Sequence, residues 1–116
     1  MLVQIDPSST VPLFEQVAAS LRRTIADGHP APGQQLPPAR ELATALEINV
    51  HTVLRAYALI RDEGLIDLRR RRGAVVIGGA SSRARLAELA ADLVHEAKRA
   101  GVGLDELTGL LKEKYA

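Results

Sequence analysis

The sequence predicts a mostly helical α+β protein, in which three helices and a two-stranded hairpin precede two further helices. Apolar residues recur every three to four positions along five segments, which is the period of an amphipathic helix. Between the third and fourth segments stand two short aliphatic runs, 65–68 and 74–77, which are typical of paired strands. The chain has 116 residues with two Tyr, one Phe and no Trp, so its core is expected to consist of aliphatic side chains.

The first three helices are located by their caps and by their apolar faces. The first is predicted to begin near Pro12, because proline suits the first helical position. A connector rich in proline and glycine, residues 28–37, separates it from a short second helix that begins at Pro38. Asn49 is a candidate N-cap for a third helix that ends at Gly64. A tight turn thus separates the second and third helices, as in a helix-turn-helix.

The hairpin carries the densest positive charge of the sequence. Between its two predicted strands lie Arg69, Arg70, Arg71, Arg72 and Gly73. Four neighbouring guanidinium groups attract phosphate whatever the net charge, which is only +1. A solvated turn is the alternative interpretation. Three helices followed by a hairpin have the order of a winged helix-turn-helix. The third helix, about 49–63, is therefore expected to enter the major groove of DNA, and the hairpin to meet the flanking backbone or minor groove.

The last two helices are expected to form a tail. Residues 78–82 are interpreted as a hinge, after which Ser81 or Ser82 can cap a long helix through about Arg99. A final helix is predicted from about Leu104. Together they carry a leucine stripe that a two-helix tail cannot bury alone, which indicates an association surface. The predicted dimerisation residues are Leu86, Leu89, Leu93, Leu107, Leu110 and Leu111. The alternative is that the tail folds back on its own module.

Five motifs occur together within residues 11–77. They are VPLFEQV (11–17), Gly28 with Pro32 and Gly33, LPPARELA (36–43), NVHTVLRAY (49–57) and EGLI (63–66). In combination they resemble the GntR-type regulators, and most closely their compact YtrA-like branch. We expect a winged DNA-binding domain at 1–79 and a dimerisation tail at 80–116. The resemblance implies a repressor of transcription, and a two-fold homodimer implies a palindromic operator on double-stranded DNA.

The resemblance also implies which residues contact DNA. Arg40 matches an arginine that contacts DNA in the family, while pairing with Glu41 or helix capping is the alternative role. In the third helix the candidate DNA-binding residues are Asn49, Val50, His51, Thr52 and Arg55. Asn can read adenine, and Thr can bond to bases or phosphate. N-capping alone would also explain Asn49 and Thr52.

Three positions depart from the family pattern. Many members have arginine where this sequence has Val50 and Leu54, so more apolar base contacts are expected. The turn of the helix-turn-helix usually holds glycine where this sequence has Glu47. Because positive φ is uncommon for other residues, we expect a reshaped turn. The wing has Arg71 in place of a glycine, so it is expected to reach phosphate through side chains instead of a close backbone approach.

Enzymatic function finds little support in the sequence. Without cysteine there is no disulfide, thiolate nucleophile or cysteine-ligated zinc. Glu88, Asp92, His95 and Glu96 could place metal ligands on one helix face, but no second element supplies facing ligands, and solvated helix charges explain them. We therefore expect no enzyme, no metal and no other cofactor.

The sequence leaves the binding partner less defined than the fold. The rival function is a winged-helix module that binds protein and not DNA. A small-molecule effector is left open. Because the sequence shows neither a secretory leader pattern nor an apolar run of membrane-spanning length, a cytoplasmic location without a membrane partner is expected.

Overall fold

The computed structural model describes residues 3–116 and contains five helices and one two-stranded antiparallel sheet there. The elements are α1 (Leu13–Ala26), α2 (Ala39–Leu46), α3 (Val50–Asp62), β1 (Ile66–Arg69), β2 (Gly73–Val76), α4 (Ala80–Arg99) and α5 (Leu104–Tyr115). The mostly helical α+β class with a wing and a helical tail is confirmed. Residues 1 and 2, with which the predicted first domain begins, lie outside the described residues.

The core lies where α1, α3, the hairpin and the start of α4 meet. Its fully buried aliphatic side chains come from all of these elements, and they include Val17, Leu21, Ile25, Val53, Ile60, Leu65 and Ile66. Burying one such side chain contributes about 1.5 to 3 kcal/mol. Leu65 and Ile66 extend this core into the hairpin, which therefore holds the wing in a defined position beside α3.

The turn between α2 and α3 keeps the left-handed geometry that glycine usually provides. Glu47 has φ 56° and ψ 44°, so the expected reshaping of this turn is wrong. The Glu47 N–H donates to the Thr44 carbonyl at 3.2 Å, and the Ile48 N–H donates to the Ala43 carbonyl at 3.0 Å. Ile48 also packs against the core. These contacts offset the cost of the left-handed backbone, which is about 1 to 2 kcal/mol.

Both strands of the hairpin lie one residue closer to its tip than predicted. β1 pairs with β2 in a register that joins Ile66 to Val76, Leu68 to Ala74 and Arg69 to Gly73. Arg69 and Gly73 thus belong to the strands, and only residues 70–72 form the turn. The connector before α2 adds an edge to this sheet, because the Leu36 N–H donates to the Ala74 carbonyl at 2.8 Å.

α4 begins inside the winged module. Ala80 and Ala84 are buried in the same core as α1 and α3. The predicted serine cap is wrong, because the helix starts after Gly79 and both serines lie inside its first turn. The hydroxyl of Ser81 instead donates to the Ala26 carbonyl at 2.8 Å and joins α4 to the end of α1.

Alanines form the face of α4 that packs on α1. Beyond Ala80 and Ala84, Ala87 and Ala91 border a cleft against Ala19 of α1. These four α4 alanines recur at i, i+4, i+7 and i+11, so they share one side of the helix. Small side chains allow two helix axes to approach closely. The apolar part of the contact between α4 and the module is therefore made by alanines, and the leucine stripe lies on another face.

Candidate nucleic-acid interface

The third helix, α3, exposes one face and buries the other. Val53 and Ala56 are fully buried, whereas His51, Leu54 and Arg55 are exposed. A helix turns by about 100° per residue, so the exposed positions lie on the side away from the core. This is the side that a recognition helix presents to the major groove.

The first residues of α3 divide between capping and free surface. The Asn49 side-chain oxygen accepts from the His51 N–H at 2.8 Å, so the predicted N-cap is confirmed. Among residues 3–116 no hydrogen-bond partner is found for the Thr52 hydroxyl, which is half-buried. Val50 packs against the core, so it offers less surface than His51 beside it.

Arg55 is positioned by an aromatic ring that sequence reasoning did not include in the site. Its guanidinium carbon lies 3.7 Å from the centre of the Phe14 ring in the first turn of α1. Such a cation–π contact stabilises by about 0.5 to 1 kcal/mol at an exposed site and leaves the guanidinium N–H groups free. The signal was present in the VPLFEQV motif, where Phe14 is the one aromatic residue of α1.

Arg40 lies in the first turn of α2. It is exposed, and within the described part of the chain it neither pairs with Glu41 nor caps a helix. The chain just before α2 is held by the Tyr57 hydroxyl, which donates to the Pro37 carbonyl at 2.6 Å. Burial, together with the charge of Glu41, raises the pKa of Tyr57, so the hydroxyl remains a donor. The geometry therefore leaves Arg40 free for an outside anion.

Two of the four wing arginines are engaged within the chain. Arg69 donates to the Asp67 carboxylate at 3.2 Å, and Arg72 donates to the Gly33 carbonyl at 3.0 Å. For Arg70 and Arg71 no polar partner is found among residues 3–116. The charge that remains available at the wing is thus concentrated at the two residues of its tip.

Most of the predicted dimerisation leucines are exposed in the single chain. Leu86, Leu89, Leu110 and Leu111 keep between 45% and 67% of their surface accessible. Leu93 is half-buried, and Leu107 is only 7% exposed, so Leu107 has little surface left for the predicted contact with a second copy. Both helices of the tail therefore expose apolar side chains.

The remaining predictions on sites concern metals and membranes. No three His, Asp or Glu side chains converge on a common point in residues 3–116, and this covers Glu88, Asp92, His95 and Glu96. Over the same residues, no helix combines the length and the apolar character needed to cross a bilayer.

Comparison with known proteins identifies the family. The family described as bacterial regulatory proteins, gntR family, matches residues 13–76. The HTH-type transcriptional repressor YtrA of Bacillus subtilis is 34% identical over 118 residues, which cover 97% of this chain and 91% of YtrA. YtrA of Sulfolobus acidocaldarius, a GntR-family transcription factor, has a solved structure with a TM-score of 0.62 and 29% identity, covering 97% of this chain and 96% of its own.

A second solved structure shows the same fold at lower identity. It is a GntR family transcriptional regulator from Listeria monocytogenes, with a TM-score of 0.66 and 24% identity over 94% of this chain and 98% of its own. The matched family consists of regulators and not of enzymes, and its match covers α1, α2, α3 and the wing. The chain therefore belongs to the gntR family of bacterial regulatory proteins and has its winged helix-turn-helix.

Proposed function

We propose that this regulator is a repressor that binds a palindromic operator as a homodimer. The observation that carries the proposal is the separation of two exposed surfaces. The winged module carries three arginines for which residues 3–116 offer no polar side-chain partner, Arg40, Arg70 and Arg71, and the tail carries exposed leucines. The first surface suits a polyanion, and the second suits another apolar surface.

The DNA-facing elements border one another. Ala39 of α2, Leu54 of α3 and Arg71 of the wing line a single cleft of about 350 Å³. The start of α2, the recognition helix and the wing tip are thus neighbours on one surface. In the proposed complex α3 enters the major groove with His51 and Arg55, and the wing tip lies against phosphates.

The tail accounts for the proposed symmetry. Two copies that bury their leucines against each other form an isologous interface, and this interface relates the two recognition helices by a two-fold axis. The operator should share that axis, with half-sites about one helical turn apart. Repression is supported by the name of the Bacillus subtilis relative. The operator lies on the chromosome, so we expect the protein to act in the cytoplasm.

Selection of duplexes from fragmented genomic DNA by the purified protein tests this function. The selected fragments should share an inverted repeat, and sedimentation of the complex should show two chains per duplex. One chain per duplex without a palindrome would exclude the dimeric model. Absence of any preferred sequence would favour a winged module that binds protein.

A further inference from the structure

The DNA-facing cleft contains two exposed leucines among its cationic residues. Leu54 of α3 and Leu68 of β1 keep 47% and 44% of their surface accessible, and both line the cleft that Arg71 borders. Removing exposed leucine surface from water is favourable, and neither residue belongs to the buried core. A partner that covers this cleft must therefore offer an apolar group next to phosphate.

The two leucines approach the cleft from different elements. Leu54 lies on α3 one turn after Val50 and on the exposed side that includes His51. Leu68 shares the side of β1 with Ile66, because residues two apart in a strand point the same way. Ile66 is buried in the core, so Leu68 continues that side of the hairpin beyond the edge of the core, toward α3.

Double-stranded DNA offers one apolar group in its major groove. This is the 5-methyl group of thymine, since the other groups on the base edges there are hydrogen-bond donors and acceptors. A guanidinium at the position of Leu54 would favour guanine, whereas an aliphatic side chain cannot bond to a donor or acceptor. The cationic border of the cleft suits the phosphates on either side of such a base.

We propose that Leu54, shielded by Leu68, reads the methyl group of one thymine in each operator half-site. This inference rests on the proposed function and adds a specificity-determining contact to it. One buried methyl group corresponds to about a fourfold change in affinity. Two symmetric half-sites therefore predict a discrimination of about 15-fold between thymine and uracil.

Replacement of thymine by deoxyuridine tests the contact directly, because it removes only the methyl group. The probe is the tightest duplex recovered by selection, in which each symmetric pair of thymines is replaced in turn. For the unaltered protein, replacement of one of these pairs should weaken binding by about 15-fold. Leu54→Ala should bind the thymine and uracil forms of that duplex equally, and Leu68→Ala should reduce the discrimination.

Ile77→Ala is the matched control, because Ile77 is an exposed aliphatic residue of the hairpin region that does not line the cleft. It should keep the full discrimination, and all three variants should keep the melting temperature of the parent. The inference is overturned if the parent binds the operator specifically but tolerates every uracil, or if Leu54→Ala still discriminates. A protein that prefers no duplex would overturn the proposed function as well.

Discussion

The winged module and the tail contain similar aliphatic helices but treat their apolar faces differently. In the module, Val17 and Leu21 of α1 and Ile60 of α3 are completely buried. In the tail, Leu86 and Leu89 of α4 remain more than half exposed. The difference follows from the number of surfaces that meet: the module packs two long helices, a hairpin and the start of α4 around one point. An apolar stripe becomes a core only where several elements face it.

The same comparison explains what each region is suited to do. A module that is stable through its own core can present a rigid recognition helix, and rigidity is what placement in the major groove requires. A tail that leaves leucines exposed depends on a second surface to cover them. Substitutions in the two regions should therefore have different effects, and the tail should be the more sensitive region.

Breaking the tail surface should have the largest effect. Leu111→Glu places a charge on the exposed leucine face of α5, so the proposed dimer should dissociate and operator affinity should fall by about 100-fold or more as the second half-site is lost. Gly109→Glu adds the same charge about 200° around the helix, where a side chain meets open space. The control should remain dimeric. Sedimentation measures the oligomeric state of the two variants, and operator titration measures their affinity. A Leu111→Glu variant that remains dimeric would place the interface elsewhere.

Removal of the free charge at the wing should have the next largest effect. Arg70→Ala with Arg71→Ala removes two phosphate contacts per subunit, so the slope of log K against log salt should flatten by about 2 to 4 units in the dimer. Operator and random DNA should weaken nearly alike, by about 50-fold at physiological salt, because phosphate carries no sequence information.

The wing itself offers a matched control for this effect. Arg69 and Arg72 already donate to Asp67 and Gly33, so Arg69→Ala with Arg72→Ala removes equal charge but should change the slope by less than about one unit. Equal slopes for the two double variants would mean that the internal contacts do not decide which arginines reach DNA. A loss confined to the operator would show that the wing reads bases.

Arg40 at the start of α2 should contribute less to the affinity for the operator. Arg40→Ala should weaken operator binding by about 1 to 3 kcal/mol and leave the melting temperature unchanged, because Arg40 has no partner within the described chain. Arg22→Ala is the opposite case. Arg22 donates two hydrogen bonds of 2.6 Å to the Glu63 carboxylate and so joins α1 to the end of α3. Arg22→Ala should therefore lower the melting temperature, unlike Arg40→Ala. Thermal unfolding and duplex titration distinguish the two arginines.

The smallest expected effect concerns the turn before the recognition helix. Glu47→Gly should stabilise the protein by about 0.5 to 1 kcal/mol, since it relieves the left-handed strain at φ 56° at some cost in chain entropy. Glu47→Ala keeps a β-carbon and should give no such gain. Urea midpoints of the two variants decide the point. A gain with alanine would assign the effect to the lost carboxylate and not to the backbone.

The sequence predicted the elements well where the signal was local. The first helix of the tail was expected to end at about Arg99 and the second to begin at about Leu104, and α4 and α5 do so. Asn49 was expected to cap α3 and does so. The sequence did not predict the role of Ser81 correctly. Whether this serine caps its own helix or binds the Ala26 carbonyl depends on where α1 ends in space.

The candidate site was predictable in its residue types but not in its pairings. The motifs indicated Arg40 and Arg55, and the run of charge between the predicted strands indicated the wing arginines. They could not show that Phe14 stacks under Arg55, since the two residues are far apart in the sequence. Nor could they show that Arg72 reaches the Gly33 carbonyl, because that contact depends on the connector lying along β2.

The sequence alone thus determined the order of helices and strands, the class of fold and the family, because periodicity, caps and motifs are properties of neighbouring residues. Only the tertiary structure decided which apolar faces find a partner. The alanine face of α4, which begins with Ala80 and Ala84, packs on α1, and the leucine face that includes Leu86 and Leu89 is left outside. Both faces are apolar in the sequence, and the choice between them depends on how closely two helices can approach.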